Sequence, residues 1–297
     1  MLKQLKKHIA IILELGKVRI TFFVAISTSV GYLLHSRQFD LTMALVVLGV
    51  FLLACGSSAI NHYQERITDA LMDRTKGRPI PSGRISKEYA LIVSLVLIVP
   101  GLGIIYFSSN VTALILGVIA LIWYNVIYTP MKKKYALAVV PGSVIGAIPP
   151  MIGWVASGGY LFDMEIIALA FFFFIWQVPH FWLLLLIHGK DYEKAGIPTL
   201  TKIFSALQLG RITFVWIAAL VTSCMLIPFF NVSSSVYSIA AMLLLGVLLL
   251  WKTRGILSDC LDCLERKFFR IAFLHVNLYV LAIIIIISID KLLLKKF

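Results

Sequence analysis

IIALAFFFFIWQVPHFWLLLLI, residues 166–187, decides the fold class of this chain. Twenty-two consecutive positions carry no Asp, Glu, Lys or Arg. About 20 such residues, rising about 1.5 Å each, cross the hydrocarbon core of a bilayer. Similar runs lie on both sides, at about 18–34, 41–60, 89–107, 111–128 and 136–156 before it, and at 212–230, 235–251 and 271–289 after it. The third and fourth are parted only by Ser108, Ser109 and Asn110, a gap of hairpin size. The sequence thus predicts an all-α, polytopic membrane protein of nine transmembrane helices.

Composition agrees. Of 297 residues 60% are hydrophobic and 14% charged, with a net charge of +13. The mean hydropathy is +0.96. A soluble domain holds about 25% charged residues, so the chain reads as one integral-membrane domain over 1–297, led by an N-terminal segment at 1–17. Its macromolecular surroundings are the lipid bilayer, and no nucleic-acid partner is expected. Glu14, Lys17 and Arg19 interrupt the first apolar run and no A-x-A-like site follows, which speaks against a cleaved signal peptide. Leu2, Leu5, Ile9 and Ile12 share a helical face away from Lys3, Lys6 and Lys7, predicting a helix on the membrane surface.

Lys and Arg set the orientation. With the N-terminus in the cytoplasm, the inner segments collect 23 of the 27 basic residues, leaving Arg37, Lys291, Lys295 and Lys296 outside. The expected location is the cytoplasmic membrane, with the active site towards the cytoplasm. Among the four cysteines, Cys55 and Cys224 sit in apolar runs as small hydrophobes. Cys260 and Cys263 form C-L-D-C with no second pair to complete a zinc site, so plain loop thiols are expected.

Three inner connections are long, at 61–88, 188–211 and 252–270, and chemistry on a scaffold concentrates in such places. The first opens with NHYQERITDALMDRTKGRPIPSG, residues 61–83. On a helix, positions four apart drift only about 40° per step, so Asn61, Glu65, Asp69 and Asp73 share one face about 6 Å apart. Adjacent oxygens in that row suit Mg²⁺, which keeps several waters and bridges carboxylates to phosphates. Arg74, Lys76 and Arg78 follow as positive charge for the same anion. A solvated helix end with local ion pairs is the plainer alternative, but ionisable groups just beyond a span are costly and usually functional.

The N-x-x-x-E-x-x-x-D row followed by M-x-R-T-x-x-R-P-x-P-S-G resembles the first aspartate-rich motif of the UbiA superfamily of intramembrane prenyltransferases. YTPMKKKYALAVVPGSVIGAIPPMIGW (128–154) and WQVPHFWLLLLIHGKDYEKAGIPTL (176–200) are similar to its branch that farnesylates protohaem IX. The resemblance covers most of residues 17–200. It implies transfer of farnesyl from farnesyl diphosphate to a vinyl group of haem B with addition of water, giving haem O and diphosphate, haem being substrate and not prosthetic group. It further implies that Asn61, Glu65 and Asp69, with Asp73 behind them, hold Mg²⁺ and diphosphate, and that Arg74, Lys76 and Arg78 clamp phosphate. Glu65 stands where many relatives have Asp, one methylene shorter.

The superfamily's second motif is D-x-x-x-D. Here Asp191 and Glu193 are two apart, and i and i+2 do not face each other on a helix. The expectation is Asp191 as the second metal-side carboxylate with Lys190 or Lys194 on phosphate, the alternative being an ordinary charged loop. His180 inside the sixth span needs a partner. It is expected either to bind haem or to bond a neighbouring helix. Pro149, Pro150 and Pro179 are expected to break their spans beside a cavity. Phe171 to Phe174, Trp176, Phe181 and Trp182 are candidate walls for a farnesyl or porphyrin pocket. By resemblance, a haem-A-forming oxygenase (haem A synthase) would be a downstream partner. Two rival readings stay open: the same chemistry on a quinone precursor or chlorophyll-like acceptor, and a non-enzymatic carrier of an anionic lipid, which would neither release diphosphate nor need metal.

Overall fold

The computed structural model describes residues 2–257 and 266–293, so Cys260 and Cys263 lie outside the described residues. Among the described residues nine helices are long and apolar enough to cross a membrane: Val18–Ser36, Leu41–Leu71, Lys87–Ser108, Val111–Met131, Val139–Ala156, Met164–Lys194, Leu207–Phe229, Val236–Leu257 and Lys267–Leu293. They are called the first to ninth spans below. Polar side chains fix where several begin. Asp40 accepts from the Met43 amide, Ser86 from Tyr89 and Asn110 from Ala113, each satisfying an N–H that the first turn cannot pair internally. Asn110 also donates to the Val155 carbonyl at 2.6 Å, tying the third-to-fourth hairpin to the end of the fifth span.

The spans pack as backbone against backbone where glycine allows it. A Cβ on Gly153 would sit 1.9 Å from the Thr28 carbonyl oxygen, and one on Gly31 1.9 Å from that of Pro150. The first and fifth spans therefore touch at their main chains, the close approach that small residues permit in membranes. Apolar residues that do not meet another helix face outwards. On the third span Ile92, Leu95, Val96 and Val99 are all exposed, an outward apolar stripe suited to lipid.

The second and sixth spans run on past their apolar stretches, each for 31 residues, so Asn61, Glu65 and Asp69 stand on helix as their spacing required, and Asp191 and Glu193 lie on helix as well rather than in a loop. Pro149, Pro150 and Pro179 lie inside continuous helix. The irregularities fall instead in the fourth span, where Trp123–Tyr128 is a π-turn, and at Ser143, a one-residue interruption between Val139–Gly142 and Val144–Ala156 in the fifth. The leading helix, Leu2–Leu15, buries Ile11 and Leu15 against Ala59, Ala90 and Val93 of the second and third spans, while Ile9 is exposed. Ile12, on the face read by spacing, packs against the same cluster.

Candidate active site

Asn61, Glu65 and Asp69 lie on one face of the second span, all buried. A cation meets each of them. Lys17 Nζ donates to Asn61 Oδ1 at 2.8 Å. Lys132 Nζ pairs with Glu65 Oε1. Arg78 Nη1 donates to both Asp69 carboxylate oxygens, at 2.8 and 2.7 Å. Three separate connections thus converge on one turn-by-turn row, and the charges of two acids are balanced before any ligand arrives.

Each cation is delivered by a specific local device. Lys17 has φ 46 and ψ 49, the left-handed region, between the leading helix and the first span. A non-glycine residue there costs about 1–2 kcal/mol, and the bend aims the ammonium at Asn61. Its burial, then repulsion from Arg78, pulls the amine down to about 7, with Glu65 opposing. Lys132 follows the π-turn. That turn advances five residues per hydrogen bond instead of four, and Thr129 Oγ1 caps it by donating to the Tyr124 carbonyl at 2.8 Å. Asn125, Thr129 and Lys132 then face the second span together: Asn125 Nδ2 donates to Ser57 Oγ and Asn61 Nδ2 to Thr129 Oγ1. Burial works against the charge on Lys132, but the Glu65 carboxylate outweighs it and raises the amine above the ordinary lysine value. Arg78 comes from the turn after the helix, which Thr75 Oγ1 pins by donating to the Asp69 carbonyl at 2.9 Å.

Other expected residues are placed differently. The second span ends at Leu71 and Met72 is extended, so Asp73 leaves the face shared by Asn61, Glu65 and Asp69. Its exposed carboxylate takes Lys76 at 3.0 Å and Lys194, and these two hydrogen bonds hold it down at about 2. The periodicity argument failed there because it assumed one more helical turn. Lys194 therefore links the two acidic segments, which also meet where Met72 packs on Tyr192, Ala195 and Ile197. Arg74 and Lys190 are exposed. Asp191 and Glu193 diverge on the sixth span as their spacing requires, and Glu193 accepts from Thr201 Oγ1 at 2.8 Å.

Deeper in the sixth span His180 Nδ1 lies 2.8 Å from Asn277 Oδ1 of the ninth. Trp176, Phe181 and Phe273 surround the ring. Of the other aromatics, Phe172 and Phe173 are core, Trp182 packs on Trp216, and Phe171 is exposed, so the run does not line one wall. Sequence reasoning missed Lys17, Lys132, Asn125 and Thr129. The only signal was that two of them belong to the basic runs read for topology and two to a span interior with unusual polar content.

No cluster of three or more His, Cys, Asp or Glu that could hold a metal occurs among the described residues. The donor set is instead one amide and two carboxylates in a row. That fits Mg²⁺, which takes oxygen ligands from one or two carboxylates and completes its shell with water and substrate phosphate.

Residues 24–277 match the model of the UbiA prenyltransferase family. A protein of Geobacter sulfurreducens named protoheme IX farnesyltransferase is 40% identical over 219 residues, 74% of this chain and 81% of that one. Among solved structures, one described as digeranylgeranylglyceryl phosphate synthase aligns with TM-score 0.78 at 18% identity, covering 97% of this chain and all of the other. A UbiA homologue from Archaeoglobus fulgidus, bound to GPP and Mg²⁺, aligns with TM-score 0.65 at 16% identity, covering 94% and 99%.

Proposed function

The chain belongs to the UbiA prenyltransferase family, and on that premise we propose that it transfers farnesyl from farnesyl diphosphate to a vinyl group of protohaem IX. The observation that carries the diphosphate half is the buried row Asn61, Glu65, Asp69 with its three cations. The acceptor half rests on the relatives' shared name and on His180. In the reaction the allylic C–O bond breaks, its electron pair leaving with diphosphate. The vinyl group's electrons then form the new C–C bond to farnesyl C1. Water adds to the resulting cation and loses a proton, giving the hydroxyethylfarnesyl chain of haem O.

Asn61, Glu65 and Asp69 would hold Mg²⁺, with Asp191 completing the metal side from the sixth span. Bound there, Mg²⁺ supplies stabilisation of negative charge on the departing diphosphate. Lys17, Lys132 and Arg78 are placed to turn from the row to the phosphate oxygens, where fixed positive charge in a poorly hydrated site favours departure. Arg74, Lys76, Lys190 and Lys194 form an outer basic rim that draws the anion in. Asp73 is proposed as the rim's latch to Lys194. The asymmetry of Lys and Arg supports an N-terminus and active site on the cytoplasmic side of the cell membrane. A later haem-A-forming oxygenase rests on the resemblance alone.

The test is purified protein in detergent with protohaem IX and farnesyl diphosphate, with and without Mg²⁺, the porphyrins being read by mass spectrometry. Haem that gains farnesyl plus water only with Mg²⁺ is the expected result. Prenylation of an added quinone precursor with haem unchanged would replace the acceptor. Diphosphate binding with no release would favour a carrier.

A further inference from the structure

The hydrogen bonds around Asn277 determine which nitrogen of His180 is free. Asn277 Nδ2 donates to the Phe273 carbonyl oxygen at 2.6 Å. A carbonyl oxygen only accepts, so this contact fixes the amide with Oδ1 towards the imidazole. An amide oxygen also only accepts, and it lies 2.8 Å from His180 Nδ1. In the neutral ring the hydrogen must therefore sit on Nδ1, leaving the lone pair on Nε2. That nitrogen makes no hydrogen bond among the described residues.

The ring is also immobilised. Its centroid lies 4.7 Å from that of Phe273, 5.2 Å from Trp176 and 5.3 Å from Phe181, at steep angles that clasp it from several sides. Along the continuous sixth span, His180 and Asp191 are eleven residues apart, which on an α-helix places them within about 20° of one face and about 16 Å apart along the axis. A neutral imidazole on the same face as Asp191, with Nδ1–H donated to an amide oxygen and Nε2 unbonded, is arranged as metal-ligating histidines are.

We propose that Asn277 is the positioning residue that presents His180 Nε2 to the iron of the acceptor, making His180 its axial ligand. The inference rests on protohaem IX being the acceptor. One axial bond at His180 would fix the centre of the macrocycle while leaving its periphery free to react. Asn277 acts only through His180: an amide oxygen on Nδ1 sets the tautomer, the ring plane and the basicity of Nε2.

The experiment uses the full chain with ferrous protohaem IX and no prenyl donor, reading the iron–histidine stretch by resonance Raman and haem affinity by titration, alongside the conversion assay above. Wild type is expected to show a histidine-ligated haem, and His180→Gly to lose that signature and recover it with added imidazole. Asn277→Asp puts a carboxylate on Nδ1 and should raise the stretch. Asn277→Leu should lower it and weaken haem binding about 10- to 100-fold, with farnesyl diphosphate affinity little changed. If Asn277→Leu fails to fold, the nearly isosteric Asn277→Asp still carries the test. A stretch unmoved in the Asn277 variants overturns the proposal and leaves the pair as a link between two spans. Conversion of haem by wild type without any histidine signature also overturns it while the acceptor assignment stands. Haem neither bound nor converted overturns the acceptor and the proposal together.

Discussion

Asp69→Asn separates a structural from a chemical role for the acidic row. Asn keeps the volume of Asp and removes its charge. Asp69 is fully buried and the Arg78 side chain only 19% exposed, so neither water nor salt screens their pair much. Stranding one member of a buried pair costs about 3–5 kcal/mol; Arg78 keeps some access to water, which favours about 3. Were that the whole role, Asp69→Asn would lose stability but keep its turnover at temperatures where it remains folded. If Asp69 also supplies charge to Mg²⁺ and diphosphate, turnover falls about 10²–10³-fold, the usual effect of losing one electrostatic contact to developing charge. The single variant is then slow even at temperatures where thermal unfolding shows it fully folded. The assay pairs thermal unfolding in detergent with diphosphate release at saturating Mg²⁺ and farnesyl diphosphate. Near-wild-type turnover by Asp69→Asn would refute the argument.

Mg²⁺ should bind the free protein weakly, because Lys132 and Arg78 already neutralise Glu65 and Asp69, and about 5- to 150-fold more tightly once diphosphate gives those cations a new partner; equal affinities by calorimetry would contradict this. The Asp73–Lys194 latch has a carboxyl pKa lowered to about 2, so its contribution is complete above the ordinary carboxylate value near 4 and is lost only as pH falls towards 2. Protease sensitivity of the 72–86 segment should therefore stay flat from pH 5 to pH 9, while rising salt loosens it because the pair is exposed. Gly153→Ala should destabilise by about 1–3 kcal/mol or block assembly, since its Cβ meets the Thr28 carbonyl. Gly103→Ala, with open space around it, should be neutral or slightly stabilising, and matching losses at both sites would remove the close-packing explanation.

Much of the site was legible because its first half is a local pattern. Asn61, Glu65 and Asp69 share a face by the 3.6-residue period alone. Asp73 was misplaced because the same rule says nothing of where a helix ends, and Met72 leaves helical conformation one residue earlier. Pro179 was expected to break its span, yet a proline removes only one hydrogen bond and the sixth span continues through it. The π-turn at Trp123–Tyr128 has no such local marker, and without it Asn125, Thr129 and Lys132 cannot be assigned to the second span.

Hydropathy and charge, both properties of short windows, were enough to determine nine spans, their order and the segments that bear acids and bases. Partnership across the bundle was decided only by the tertiary structure. Lys17 reaches Asn61 across 44 residues, Asn61 reaches Thr129 across 68, and His180 reaches Asn277 across 97. The reason is geometric. A helix fixes the direction of its own side chains, but which neighbour stands opposite depends on glycine contacts, a left-handed lysine and one π-turn that set the helices' rotation against each other.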